Sequence, residues 1–206
     1  MIAGIVRLAM LAVFSVLSMN LILQFCLGIK ETAFAQISVT AHKFDKRYAF
    51  SLGFYYFWII ILWMLISVIR SLFTLGFLEY ILLFPVSFLS FCLYEYLLKR
   101  MRFFPDQYAD FSVFGNAYTG GVLLGAALFI TLNVAGGLLD AAALAFGFTL
   151  GIALAIAIAG EIRRRSEIEA VPRFLKGGPL MLISMGLLSL IFSSAALMFF
   201  LTLGAN

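Results

Sequence analysis

Charge is scarce in this sequence. Only 12% of its 206 residues are Asp, Glu, Lys or Arg, against roughly 25% in an ordinary soluble domain. So few charged side chains cannot clothe a water-facing surface around a chain that is 64% hydrophobic. The net charge of +4 does not point to nucleic acid either. The basic residues fall in short runs between apolar stretches and not on a basic, aromatic-interleaved face. Both cysteines, Cys26 and Cys92, lie inside apolar stretches and share no CxxC or Cys/His spacing, so neither a disulfide framework nor a zinc site is indicated. The single histidine, His42, sits among Lys43, Asp45, Lys46 and Arg47, away from any nucleophile. A Gly-rich phosphate loop, HExxH, paired catalytic carboxylates and a Ser-based hydrolase motif are all missing. Any chemistry in which the chain takes part would come from a cofactor or a partner.

What the sequence has is long apolar runs and a mean hydropathy of +1.11. Six runs, at 4–29, 48–69, 77–98, 118–135, 139–160 and 179–203, are about as long as the ~20 residues that cross a bilayer. Only helices satisfy their own backbone groups in lipid. The expected fold is therefore all-α and membrane-integral, a single domain over 1–206 with six transmembrane helices and no room in the connections for a soluble domain. An alternative for the start is a signal peptide, with Arg7 before the apolar run and Ala33-Phe34-Ala35 imitating a cleavage site. The run is longer than the ~7–15 residues of a signal core.

Lys30, Lys43, Lys46, Arg47, Lys99, Arg100, Arg102, Arg163, Arg164, Arg165, Arg173 and Lys176 fall in the first, third and fifth connections. The opposite side holds only Arg7 and Arg70. The positive-inside rule then predicts that both termini lie outside.

The halves resemble each other. Leu27-Gly28 recurs as Leu124-Gly125, Gly53-Phe54 as Gly147-Phe148, Ile69-Arg70 as Ile162-Arg163 and Phe77-Leu78 as Phe174-Leu175, at offsets between 93 and 97 residues. Three spans per repeat make the repeats, about 4–100 and 113–203, inverted. Such repeats place their working site near the midplane where the halves meet, commonly at short or Gly-broken helices, which points to spans one and four.

Span four opens with Gly115-Asn116-Ala117-Tyr118-Thr119-Gly120-Gly121, and Gly121 with Gly125 forms a GxxxG. Close helix packing explains this motif. The alternative is a half-helix start at which Gly120 and Gly121 bind a cofactor through free N–H groups. Asn20 and Gln24 share a face of span one, either as interhelical hydrogen-bond formers or, with Asn116 and Glu95, as lining for an ion path. Glu95 is also one turn from Lys99 and placed for an i,i+4 pair. Glu161 lies beside Arg164 and Arg165, and Asp140 on the outer turn, where a carboxylate is easily solvated. A second GxxxG, Gly147 to Gly151, begins an alanine-rich span five. The small residues are expected to face helices. Many of the aromatics of spans two and three, Tyr55, Tyr56, Trp58, Trp63, Phe84, Phe88 and Phe91, are expected to face lipid or a partner subunit.

Further on, Gly147-Phe148-Thr149, Ile162-Arg163-Arg164-Arg165 and Val171-Pro172-Arg173-Phe174-Leu175-Lys176-Gly177-Gly178-Pro179-Leu180, continuing through Ile183, Gly186-Leu187 and Ser189-Leu190, resemble a known family. These are the six-helix membrane subunits A and E of the Rnf electron-transport complex, and their relatives, subunits D and E of sodium-translocating NADH:quinone reductase. The resemblance covers most of the chain. Asn20 with Leu27-Gly28 matches the first span, Leu78 through Glu95 the third, and Leu123-Leu124-Gly125 the fourth. The outward N-terminus resembles the Rnf A and Nqr E type.

The resemblance implies a pseudo-symmetric pair of sister subunits sharing a 2Fe–2S cluster inside the membrane, with other redox subunits on either side and ion movement coupled to electron flow. The sequence departs from that pattern at the ligands. Lys30 stands where the first cysteine belongs and Gly121 where the second belongs. Cys26, one turn before Lys30, is a candidate for a shifted ligand, although clusters need several thiolates. Cys92 aligns with a position that is not cysteine in the family and reads as a buried apolar residue. The function expected from the resemblance is a membrane subunit of an Rnf/Nqr-type redox-driven ion-translocating complex, as scaffold and part of the electron or ion path. The alternatives are a small secondary transporter built on an inverted repeat, or an assembly subunit that has lost its cofactor.

Overall fold

The structure, a computed structural model, describes residues 2–17, 20, 46–72, 78–100, 117–168, 172 and 178–204. These residues form helices and no strand. In chain order the helices are α1 (Ile2–Leu17), α2 (Lys46–Leu72), α3 (Leu78–Arg100), α4 (Ala117–Val134), α5 (Leu138–Ile168) and α6 (Gly178–Gly204). Three carry stretches long and apolar enough to cross a membrane, Ala49–Leu72, Ile81–Leu98 and Leu138–Ile162, and shorter apolar stretches lie in the other three. With Phe57, Leu89, Leu139 and Leu190 all more than 60% exposed, these surfaces suit lipid and not water. The chain is accordingly a helical membrane protein.

All six helices begin, and four end, within a few residues of the expected spans. The largest differences are at α5 and α1. Helix α5 runs on through Glu161–Ile168, because the residues after Gly160 are good helix formers and Arg165 Nε donates to Glu161 Oε1 one turn back, at 3.2 Å. Helix α1 stops at Leu17, and Asn20 is not helical. Its 16 residues measure about 24 Å at ~1.5 Å per residue, short of a ~30 Å hydrocarbon layer. The remainder of the first expected span, 21–29, lies outside the described residues.

Helix directions follow from the contacts between them. Arg7 meets Asp140 and Arg70 Nη1 donates to the Leu132 carbonyl at 3.4 Å. The starts of α1 and α5 and the ends of α2 and α4 therefore share one end of the bundle. At the other end, Ser51 near the start of α2 bonds Tyr94 near the end of α3. Helices α4 and α5 are an antiparallel hairpin joined through Ala135, Gly136 and Gly137. Thr131 O accepts from the Ala135 amide at 2.9 Å and Gly137 O from the Ala141 amide at 3.0 Å, so α4 closes and α5 opens within three residues.

Helix α5 is the hub, packed against α1, α2, α4 and α6. Its buried hydrophobic residues, Ala141, Leu144, Ala145, Phe148, Ile152, Ala155 and Ala159, recur at helical spacing and form a stripe, with Gly147 and Gly151 buried beside it. The small ones bring neighbouring backbones close.

The expectation for the aromatics holds only in part. Tyr55 and Phe91 are wholly buried, and Trp58 donates to Ser90 Oγ at 2.9 Å. Around Tyr94 the rings of Phe54, Tyr55, Trp58 and Phe91 lie with centroids 5.2 to 6.1 Å away. The α2–α3 interface is thus itself aromatic, because offset and edge-on ring pairs add to the packing energy. Phe84 and Phe88 do face outward in part.

Candidate functional site

Two seams of close helix contact bring most of the described candidate residues together. The first joins α1 to α5, which run parallel. A Cβ on Gly147 would collide with Ser15 Oγ and the Ala12 carbonyl, and one on Gly151 would meet the Val16 carbonyl at 3.4 Å and Asn20 Nδ2 at 3.2 Å. Asn20 is 1% exposed. Its amide donates to Gly151 O at 3.0 Å and to Val16 O at 3.2 Å. The second bond follows the i to i−4 pattern of the helix, so the side chain replaces a main-chain donor that α1 loses by ending at Leu17. The first reaches α5 where Gly151 leaves room, since a Cβ there would crowd the amide at 3.2 Å.

The second seam joins α3 to α4, which run antiparallel. A Cβ on Gly120 would enter the Phe91 ring. On Gly121 it would lie 3.1 Å from Phe88 Cα, and on Gly125 2.7 Å from Ser87 Oγ and 3.1 Å from Phe84. Close packing therefore occupies the face of α4 that bears Gly120 and Gly121. Beside it, Phe84, Pro85, Phe88, Gly121 and Val122 line an open apolar groove of ≈ 480 Å³.

The buried polar side chains are all neutral, and their bonds are structural. Ser15 donates to Ala12 O, Ser87 to Phe84 O, Thr131 to Ala127 O and Thr149 to Phe146 O, at 2.6 to 3.0 Å. Ser51 and Tyr94 bond each other. Such bonds keep polar groups satisfied in an apolar setting, and they leave no nucleophile beside a base among the described residues. No group of three or more His, Cys, Asp or Glu able to hold a metal occurs among them either.

The remaining candidates are scattered. Glu95 is half-buried near the C-terminal end of α3, and the Lys99 side chain lies outside the described residues. Gln24, Cys26, Lys30 and Asn116 also lie outside the described residues. Cys92 is a free, half-buried thiol. Glu161 is half-exposed and pairs with Arg165, as an interfacial carboxylate does.

The contact that sequence reasoning missed is at the end of the bundle that holds the starts of α1 and α5. Arg7 Nη2 donates to Asp140 Oδ2 at 2.7 Å, and the same oxygen accepts from the Gly136 amide at 3.3 Å. Asp140 is the third residue of α5, where the helix dipole favours an anion. It is only 14% exposed, while Arg7 is 65% exposed. The available signal was an acidic residue in the first turn after Gly136-Gly137, on the same side as the lone cation of span one. No family model, curated protein or solved structure matches the chain.

Proposed function

We propose that this chain is a membrane subunit of a redox-driven ion-translocating electron-transport complex of the Rnf/Nqr type, serving chiefly as a helical scaffold. It lies in the cell inner membrane as two inverted three-helix repeats, with both termini outside, beside a sister six-helix subunit and the complex's redox subunits. The observation that carries this reading is where the residues of the resemblance fall. Asn20, Gly125 and Gly147 are seam residues. Leu123, Leu124 and Phe148 are buried in α4 and α5, and Thr149 bonds within α5. On α6 the resemblance continues through Ile183, Leu187 and Leu190, which face outward, as a subunit or lipid contact requires.

The 2Fe–2S cluster that the resemblance implies does not fit the residues present. Gly121 offers no donor atom, and its side-chain position already abuts Phe88. Lysine at position 30 is a poor substitute for a thiolate. The scaffold reading therefore assigns no electron-transfer step to this chain.

One observation favours a second reading, a small secondary transporter. The buried Asn20, inside the first expected span, is not helical, and discontinuous helices build substrate sites in inverted-repeat transporters. Purification in a mild detergent separates the two. Redox subunits should accompany the scaffold, with a low-temperature EPR cluster signal that is unchanged by Cys26→Ser. A signal lost with Cys26→Ser would make the chain a cluster ligand and overturn the scaffold role. Purification without redox partners would leave the transporter.

A further inference from the structure

The two ends of the bundle handle their cations differently. At the end that holds the start of α5, both basic residues are engaged within the chain. Arg7 is bound to the Asp140 carboxylate, and Arg70 reaches a carbonyl of the last turn of α4, where the helix dipole favours a cation. At the opposite end α2 begins with Lys46-Arg47, α3 finishes with Lys99-Arg100, and α5 runs through Arg163, Arg164 and Arg165. Arg165 has Glu161, but among the described residues neither Arg164 nor Arg100 forms an ion pair. Arg100 Nη1 instead donates to Tyr96 Oη at 3.3 Å, and Tyr96 is itself exposed. An exposed tyrosine at the edge of an apolar stretch, one turn from an exposed arginine, is the arrangement found at headgroup depth in a bilayer.

We propose that this basic end is a docking surface for anionic phospholipid headgroups, with Arg100 and Arg164 as the phosphate contacts on two separate helices and Tyr96 setting the depth of the first. Charge complementarity selects the occupant. Arginine is exposed next to the apolar stretch on α3 and again on α5, lipid phosphates lie at that level, and guanidinium binds phosphate through paired N–H donors. The inference rests on the membrane character of the chain, and it requires neither the proposed complex nor the direction in which the chain is inserted.

The test uses the full-length protein in a neutral detergent. Phosphatidylglycerol and phosphatidylcholine with the same acyl chains are titrated in separately, with retained lipid read by native mass spectrometry and thermal unfolding in parallel. Phosphatidylglycerol should be retained more tightly and raise the unfolding temperature, and the preference should weaken as salt is added. Arg100→Gln and Arg164→Gln should each lower phosphatidylglycerol affinity about five-fold, the equivalent of ~1 kcal/mol per basic residue at a lipid surface. Arg7→Gln, at the other end, should leave it unchanged. Equal retention of both lipids, or a preference indifferent to salt and to both substitutions, overturns the proposal. Competition by inorganic phosphate at millimolar concentration would show a free-anion site and overturn it too. The salt dependence of the unaltered protein decides the question even where a variant fails to fold. A chain that does not fractionate with membranes would instead defeat the membrane reading itself.

Discussion

Glycine carries opposite meanings at different positions of this molecule, and neighbouring atoms decide which. At Gly147 the missing side chain is what lets Ser15 and the Ala12 carbonyl approach α5. Gly147→Leu should destabilise the protein by about 1–3 kcal/mol, the usual range for overpacking, seen as earlier thermal unfolding in detergent. Gly53 in α2 has nothing within 4 Å of the position a Cβ would take. Gly53→Ala should therefore be neutral or stabilising by up to about 1 kcal/mol, since alanine is the better helix former. If the two substitutions had equal effects, the α1–α5 seam would not be as close as the geometry has it. Asn20 was legible as a polar residue in need of a partner. That its partner is Gly151 O, with Val16 O as a second acceptor, was not, because a hydrogen bond across 131 residues depends on which helix arrives there.

Among the helices, the parallel pairing of α1 with α5 is the least expected contact. Neighbours in sequence ordinarily pack antiparallel through short loops, as α4 and α5 do. Cysteines placed at positions 15 and 147, with Cys26 and Cys92 changed to serine, should cross-link under mild oxidation, with α1 moving slightly outward because a Cβ at 147 lies closer to Ser15 than a disulfide needs. Val13 points outward, and a cysteine there should not cross-link to one at 147. Non-reducing electrophoresis reads both. A Val13 cross-link without a Ser15 one would mean that α1 is rotated about its axis. The same two GxxxG motifs were visible in the sequence as packing surfaces. Their partners were not, since GxxxG specifies close approach and names no second helix.

At the scale of the molecule, the helices alternate in direction from α1 to α5, as contacts at both ends of the bundle show. A cysteine at Gly137, in the α4–α5 turn, and one at Arg164, near the end of α5, should therefore react with a membrane-impermeant maleimide from opposite sides of the bilayer. The proposed orientation puts position 137 outside. Labelling of position 164 from outside, with 137 protected, would reverse that orientation. Labelling of both from one side would break the alternation itself.

The sequence by itself determined that the chain is helical and apolar enough for a membrane, and it located the helices closely. Backbone self-satisfaction in lipid allows few alternatives, and charged runs mark where apolar stretches stop. It also pointed to Asn20, Gly121, Gly125, Gly147 and Gly151 as residues under constraint, since small and polar residues stand out among leucines. Which residues are inside was decided only by tertiary structure. In water, burial follows hydropathy, but lipid is as apolar as a protein core, so a helix such as α5 is apolar on every side and its buried stripe from Ala141 to Ala159 carries no hydropathic signature. The rings of Tyr55 and Phe91 suit lipid and core equally well. Phe91 is inside where the missing side chain of Gly120 leaves its ring room, and Tyr55 where it packs edge-on against Tyr94. The Arg7–Asp140 pair has the same origin: each residue was a visible charge at the edge of an apolar stretch, and only the parallel docking of α1 on α5 brought them into contact.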